Sequence, residues 1–242
     1  MSIEITESNL LWPERWTVED ILEKRKLLGA RQFELMYQCT VNPEEGDLFK
    51  KAWWQYAKVV NDPSEPTVVI GNESYQVTRV YQSADTAQKD KEKNSFSVIA
   101  TWGVFQLGYI LLDIWRKHVP YYRLKKAAKT LGEYWDPAII LVEDKSSGIS
   151  LIQDLRYDTT LRIVAWPADS DKTARAESIT PFFQGKRVWI REDAPWSEDW
   201  EMEHEVFPNG TYDDQVDTTT QFLNYIRESE KLKKGRVKAS ST

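Results

Sequence analysis

Apolar residues recur along this chain with two different periods. Residues 77–84, 96–104 and 108–116 are short runs rich in branched and aromatic side chains, and they read as β-strands. The link Phe105-Gln106-Leu107-Gly108 between the second and third fits a hairpin turn. In residues 121–135 the period changes: Leu124, Ala127, Ala128 and Leu131 recur at helical spacing, and Pro137 follows the helix end. Residues 139–143 open as an all-apolar run of strand length, of the kind buried inside a parallel sheet. The pattern then predicts a helix over 148–155 and a strand over 162–166 ended by Pro167. A helical stretch over 172–183 holds at least as far as Pro181. A strand over 187–191 and helices over 196–206 and 214–228 complete the series.

Before residue 61 the pattern reads as helices and loops. Thr17 is a good N-cap with Asp20 three residues on, close to a capping box, for a helix over 18–28 that Gly29 ends. The breaker cluster Asn61-Asp62-Pro63-Ser64-Glu65-Pro66 is the best boundary candidate, and residues 231–242 form a basic tail expected to be disordered. Three segments result: a helical segment 1–60, a main domain 61–230 and the tail. Three strands with a hairpin, then alternating helices and strands, predict an α/β fold: a mixed sheet flanked by helices on both faces, with a short helical N-terminal segment.

Composition narrows the function classes. The 242 residues suffice for one well-cored domain. The longest apolar run, residues 108–112, is broken by Asp113, far short of the roughly 18 residues of a membrane span. No basic stretch followed by an apolar core opens the chain, so no secretory signal is visible. A single cysteine, Cys39, excludes an internal disulfide and a cysteine zinc site, which points to a reducing, cytoplasmic setting. The formal net charge of −6 counts mildly against a general nucleic-acid binder, although Lys and Arg cluster over 116–129 and 231–238. No Gly-x-x-x-x-Gly-Lys phosphate loop, Gly-x-Ser-x-Gly elbow or His-Glu-x-x-His zinc motif is present, and His118 and His204 read as structural.

The chemistry lies in acids placed at element ends. Asp85 follows the first strand, Glu143 ends the apolar strand, and Asp213-Asp214-Gln215-Val216-Asp217 opens the last helix. Sheets of this class carry their sites at strand ends. Asp214 and Asp217 share a helix face, where two like charges cost stability unless a cation lies between them. Converging carboxylates suit a pair of hard divalent cations, Mg²⁺ or Mn²⁺ rather than zinc. Each acid has a plainer alternative: Asp85 as a turn cap, Asp213 or Asp214 as a helix cap, Asp217 as a solvated charge. Lys172 and Arg175 open a helix whose dipole opposes them, so they call for an anionic partner or plain solvation.

Four motifs in order carry a resemblance: Ser83-Ala84-Asp85-Thr86-Ala87, Val142-Glu143-Asp144-Lys145-Ser146-Ser147-Gly148, Ala168 to Arg175, and Phe207 to Asp217. With the stretches 11–16 and 33–38 before them, they resemble the C-terminal nuclease domain of the large terminase subunit of tailed bacteriophages. That resemblance implies a ribonuclease H-like fold, akin to the Holliday-junction resolvases. It implies catalytic acids at Asp85, Glu143 and Asp214, metal ligation by these with Asp217 and Asp213, and phosphate contacts by Lys172, Arg175 and Lys145. Which of Asp213, Asp214 and Asp217 is the principal third ligand stays open.

The activity implied is two-metal-ion cleavage of concatemeric double-stranded viral DNA during packaging, in the cytoplasm of a bacterial host. The partners implied are the terminase ATPase, the small terminase subunit and the portal protein, with no membrane. The ATPase motor that large subunits carry is missing before residue 1, so the chain reads as an excised domain or a split or truncated prophage gene. Alternatives are another ribonuclease H-like nuclease, such as a junction resolvase or a transposase-like enzyme, and a non-catalytic prophage-derived docking module.

Overall fold

The computed structural model describes residues 15–28, 48–61, 63–86, 96–167 and 171–239. Among them, the backbone forms nine strands in one sheet: β1 (Gln55–Val60), β2 (Thr67–Ile70), β3 (Glu73–Gln76), β4 (Arg79–Asp85), β5 (Ser97–Phe105), β6 (Gly108–Lys117), β7 (Ile139–Glu143), β8 (Ile163–Trp166) and β9 (Val188–Arg191). Their spatial order is β3-β2-β1-β9-β6-β5-β4-β7-β8. The centre is an antiparallel meander of β4, β5 and β6. On one side β7 and β8 add in parallel to β4. On the other, β9 pairs in parallel with β6, and β1 in parallel with β9. This is the mixed sheet expected from the sequence.

The helices are α1 (Val18–Leu28), α2 (Tyr121–Trp135), α3 (Ser147–Asp158), α4 (Lys172–Glu177), α5 (Thr180–Gln184), α6 (Ser197–Val206) and α7 (Asp214–Ala239). None among the described residues is long and apolar enough to cross a membrane. Successive strand side chains point to opposite faces, and here both faces are apolar. Ile139 and Leu141 of β7 join Val98, Ala100 and Trp102 of β5 in a core under α7, where Trp102 stacks on Phe222 at 5.0 Å. Ile140 and Val142 turn the other way, with Ile99, onto Leu124 and Ala128 of α2 and Leu151 and Leu155 of α3. Burial on both sides is why the 139–143 run lacks alternation. Truncating Leu141, which is fully buried, to alanine should cost about 2–5 kcal/mol.

The elements expected over 77–206 all appear, most within one or two residues of their anticipated bounds. The expected hairpin closes with Phe105 opposite Gly108. The capping box of α1 forms: the Thr17 backbone N–H and hydroxyl both donate to Asp20 Oδ2, and the Asp20 N–H returns to Thr17 Oγ1. Gly29, the 33–38 stretch, Cys39 and residues 11–14 lie outside the described residues.

Four expectations need correction. Gln55–Val60, read as part of a helix-and-loop segment, is a strand that pairs antiparallel with β2. Strands β2 and β3 are four residues each and carry little periodic signal. The helical stretch 172–183 is two helices, because Pro181 can begin a helix but removes the N–H needed to continue one. The last helix does not stop at 228: α7 runs to Ala239, so most of the segment expected to be disordered is helical.

Candidate active site

β4 and β7 run side by side in parallel, with Ala84 opposite Val142. The next residues on, Asp85 and Glu143, therefore end the two strands together. By strand alternation they point to the same face as Tyr81 and Leu141, the side covered by α7. The Ser83 hydroxyl, two residues before Asp85, donates at 2.8 Å to the carbonyl of Thr218 and lies 2.9 Å from Gln221 Oε1. This buried tie fixes the first turns of α7 over the end of β4, and Asp217 is the residue before Thr218.

Glu143 has its own restraint. Gly148 at the start of α3 lies so close to it that a Cβ there would stand 2.0 Å from the Glu143 carbonyl oxygen. Only glycine lets α3 begin directly behind the strand end. Lys145 is exposed in the intervening turn, where its N–H donates back to the Glu143 carbonyl.

Two cations enter the acid cluster from α4. Asp171 caps that helix, accepting from the N–H groups of Thr173 and Ala174. Lys172 Nζ then lies 2.6 Å from Asp217 Oδ2 and 2.8 Å from Asp213 Oδ1. Arg175 reaches Asp217 Oδ1 at 3.0 Å and Glu143 Oε1 at 3.6 Å. The anionic partner that these cations lacked in sequence is the acid cluster itself.

The electrostatics are those of carboxylates crowded together. Burial, and then the charges of Asp217, Glu143 and Asp214, push the Asp85 carboxyl well above the ordinary range. Asp214 is pushed up to about 6, first by burial and then by Glu203 and Asp213. Asp217 is raised by burial despite the opposing charge of Lys172. Burial alone would lower Lys172, but Asp217 and Asp213 outweigh it and hold the ammonium charged.

The structure thus brings together Asp85, Glu143, Asp213, Asp214, Asp217, Lys172 and Arg175, and leaves Lys145 at the edge. Among the described residues, no three acid, histidine or cysteine side chains converge closely enough to hold a metal ion as they lie. The donors nevertheless fit a hard divalent cation. They are all carboxylate oxygens, they repel one another, and a positive group already stands between Asp213 and Asp217.

Sequence reasoning missed the supporting roles of Ser83, which it placed in the first motif without a contact, and of Glu203 and Arg116, which lie outside the motifs. Their only sequence signal was proximity, Ser83 to Asp85 and Arg116 to a basic run. The two histidines were read correctly as structural where His204 is concerned. It is buried against Trp200 with ring centroids 3.7 Å apart, and its Nδ1 lies 2.8 Å from the Trp200 carbonyl. Burial lowers it to about 3, so it stays neutral.

Residues 82–225, more than half of the chain, match the terminase RNaseH-like domain family. The chain belongs to that family. The match runs from β4 into α7 and so contains every acid of the cluster. Solved structures agree in fold at low identity. The large terminase nuclease of thermophilic phage G20c with bound magnesium superposes with a TM-score of 0.54 at 12% identity, covering 74% of this chain and 96% of that one. The same nuclease with bound cobalt gives 0.55 at 13%, with the same coverage. The large terminase of another thermophilic bacteriophage gives 0.58 at 12%, covering 87% of this chain and 53% of that one, so the chain spans about half the length of that large terminase. No curated protein matches the sequence.

Proposed function

We propose that this chain is the nuclease part of a terminase large subunit, a metal-dependent endodeoxyribonuclease that cuts concatemeric double-stranded phage DNA during genome packaging. One observation carries the reading. Asp85 and Glu143 end adjoining strands on the face where α7 presents Asp214 and Asp217, and the field of those three acids is felt at Asp85. Carboxylates are rarely crowded in this way without a cation to hold. The magnesium and cobalt held by the G20c nuclease support the same use here.

Asp85, Glu143 and Asp214, with Asp213 and Asp217, would hold two Mg²⁺ or Mn²⁺ ions. Such ions supply a Lewis acid for the phosphoryl oxygens and lower the pKa of a bound water. The chain supplies position and charge. Its strand ends fix Asp85 and Glu143, the Ser83 tie fixes α7, and Lys172 and Arg175, with exposed Lys145 at the edge of the cluster, would offer cations to a scissile phosphate. In this reading the catalytic unit is the nine-stranded sheet, β1 included, with the helices packed on it. The ATPase, the small terminase subunit and the portal are its partners, and the bacterial cytoplasm is its place of action.

Cleavage of supercoiled plasmid with Mg²⁺, Mn²⁺ or EDTA, with Asp214→Asn alongside, tests the proposal. Metal-dependent nicking or linearisation lost in the variant upholds it. A marked preference for branched over linear duplex DNA would move the reading to a junction resolvase. Equal cleavage by parent and variant would displace the site.

A further inference from the structure

The N-terminus of α7 is secured in an unusual way. The first N–H groups of a helix have no partner within it, and a side chain just before the helix commonly accepts from them. Here Asp213 precedes α7, but its carboxylate faces Lys172 at 2.8 Å. The acceptor comes instead from α6. Glu203 Oε1 takes the N–H of Gln215 at 2.6 Å and that of Val216 at 3.4 Å, and its Oε2 takes the Gln215 side-chain amide at 2.7 Å. Glu203 is buried, with 6% of its surface exposed.

Its counter-ion is Arg116, whose Nη2 lies 3.3 Å from Glu203 Oε2. The Arg116 guanidinium sits over the ring of Phe96 at 4.1 Å and near that of Tyr212 at 5.2 Å. The two rings meet edge to face at 5.4 Å. Arg116 also shares a cross-strand row with the site, since Val98 pairs with Asp85 on one side and with Arg116 on the other. Directly opposed residues of antiparallel strands face the same way. The pair therefore joins the edge of the central meander to both flanks of the acidic turn, Tyr212 before it and Gln215 after it.

We propose that Glu203, with Arg116 as its counter-ion, is a positioning residue that fixes the backbone of Asp213 and Asp214 for cation binding and is not itself a ligand. Both of its oxygens are occupied by α7 and Arg116, so none is free for an ion. Removing the acceptor lets the first turn of α7 fray, and with it the spacing of Asp213 and Asp214 from Asp85. Outer partners that orient ligands are worth about 10–100-fold in metal affinity. The inference rests on the metal-dependent reading above.

Mn²⁺ affinity, measured by calorimetry on the full chain, tests it together with amide exchange at Gln215 and Val216. Glu203→Ala should weaken Mn²⁺ binding by about 10-fold or more and speed exchange at both amides. Glu203→Gln keeps an oxygen that can accept from the Gln215 N–H and should restore most of the affinity. Val68→Ala, buried on the remote strand β2, serves as a control of lowered stability and should bind Mn²⁺ as the parent does. A folded Glu203→Ala protein with parental affinity overturns the positioning role while leaving the metal reading intact. A parent chain that binds no Mn²⁺ overturns the metal reading and this inference with it. Should Glu203→Ala not fold, Arg116→Met gives the same comparison: a weakened affinity supports the role, and an unchanged one overturns it.

Discussion

Lys172 Nζ lies 2.6 Å from Oδ2 of Asp217 and reaches Asp213 with the same ammonium. The contact places a protein cation within the cluster of acids proposed to hold metal ions. It neutralises part of a charge that would otherwise oppose folding, and it stands where an incoming cation must compete.

Lys172→Ala should therefore lower the stability of the metal-free protein by about 1–3 kcal/mol, the cost of leaving partly buried charge unpaired. Mn²⁺ should then raise the melting temperature more in the variant than in the parent, because metal takes over the missing charge. Thermal melts with and without MnCl₂ check this. An equal shift in both proteins would show that lysine and metal occupy separate places.

Neutralising Asp85 should separate stability from activity. Its carboxyl is raised by burial and by Asp217, Glu143 and Asp214, so Asp85→Asn removes a repelled charge. Metal-free stability should rise by about 1 kcal/mol, as happens where function strains a site. Plasmid cleavage should fall by about 100-fold or more if this carboxylate serves the ions. Chemical denaturation and a cleavage assay on the same sample decide both halves.

The response to pH has a definite sign. Asp214 titrates near 6 in the folded chain, above its ordinary value of 3.8. Between those values the folded state binds more protons than the unfolded one, so this group adds stability as pH falls through 6. Asp85 acts in the same direction. Mn²⁺ binding needs the deprotonated forms and should weaken over the same interval. Melts at pH 8 and pH 5 without metal, and Mn²⁺ titrations at both, test the opposing trends. A metal affinity equal at the two values would contradict the raised Asp214.

Gly148→Ala should unseat Glu143. The added methyl would stand 2.0 Å from the Glu143 carbonyl oxygen, backbone that has no free rotamer to yield. A loss of about 1–3 kcal/mol or more is expected from such overpacking. Metal affinity should drop further than in a core variant of equal stability, such as Leu155→Ala on the same helix. Parallel denaturation and calorimetry distinguish the two.

The fold was legible where burial imposed a period. Strand β7 and helix α2 were readable to the residue, because burial on both faces and the Leu124–Ala128–Leu131 stripe leave few alternatives. β2 and β3 were not, since each is only four residues long, too short to show a period, and β3 at the sheet edge is mostly exposed and polar. The acids stood out because each lies at an element end, Asp85 and Glu143 closing strands and Asp213 to Asp217 opening α7. What gathers them was hidden in non-local contacts: Ser83 reaching Thr218, Lys172 reaching Asp217, Glu203 reaching Gln215. None of these leaves a periodic trace. The basic tail misled because charge and small residues suit a solvated helix as well as a disordered chain.

The route by which the chain reaches the site has its own consequence. Asp85 belongs to the central meander, Glu143 to a strand that joins it only after α2 has crossed over, and Asp213, Asp214 and Asp217 to the last helix described. Synthesis proceeds from the N-terminus, and early portions collapse first. The acidic turn emerges after the rest of the sheet, and only docking of α7 through the Ser83 tie completes the cluster. A ribosome-bound chain that has not yet released α7 is thus unable to assemble the set, so on the proposed nuclease reading maturation of the fold itself would guard nearby DNA from premature cleavage.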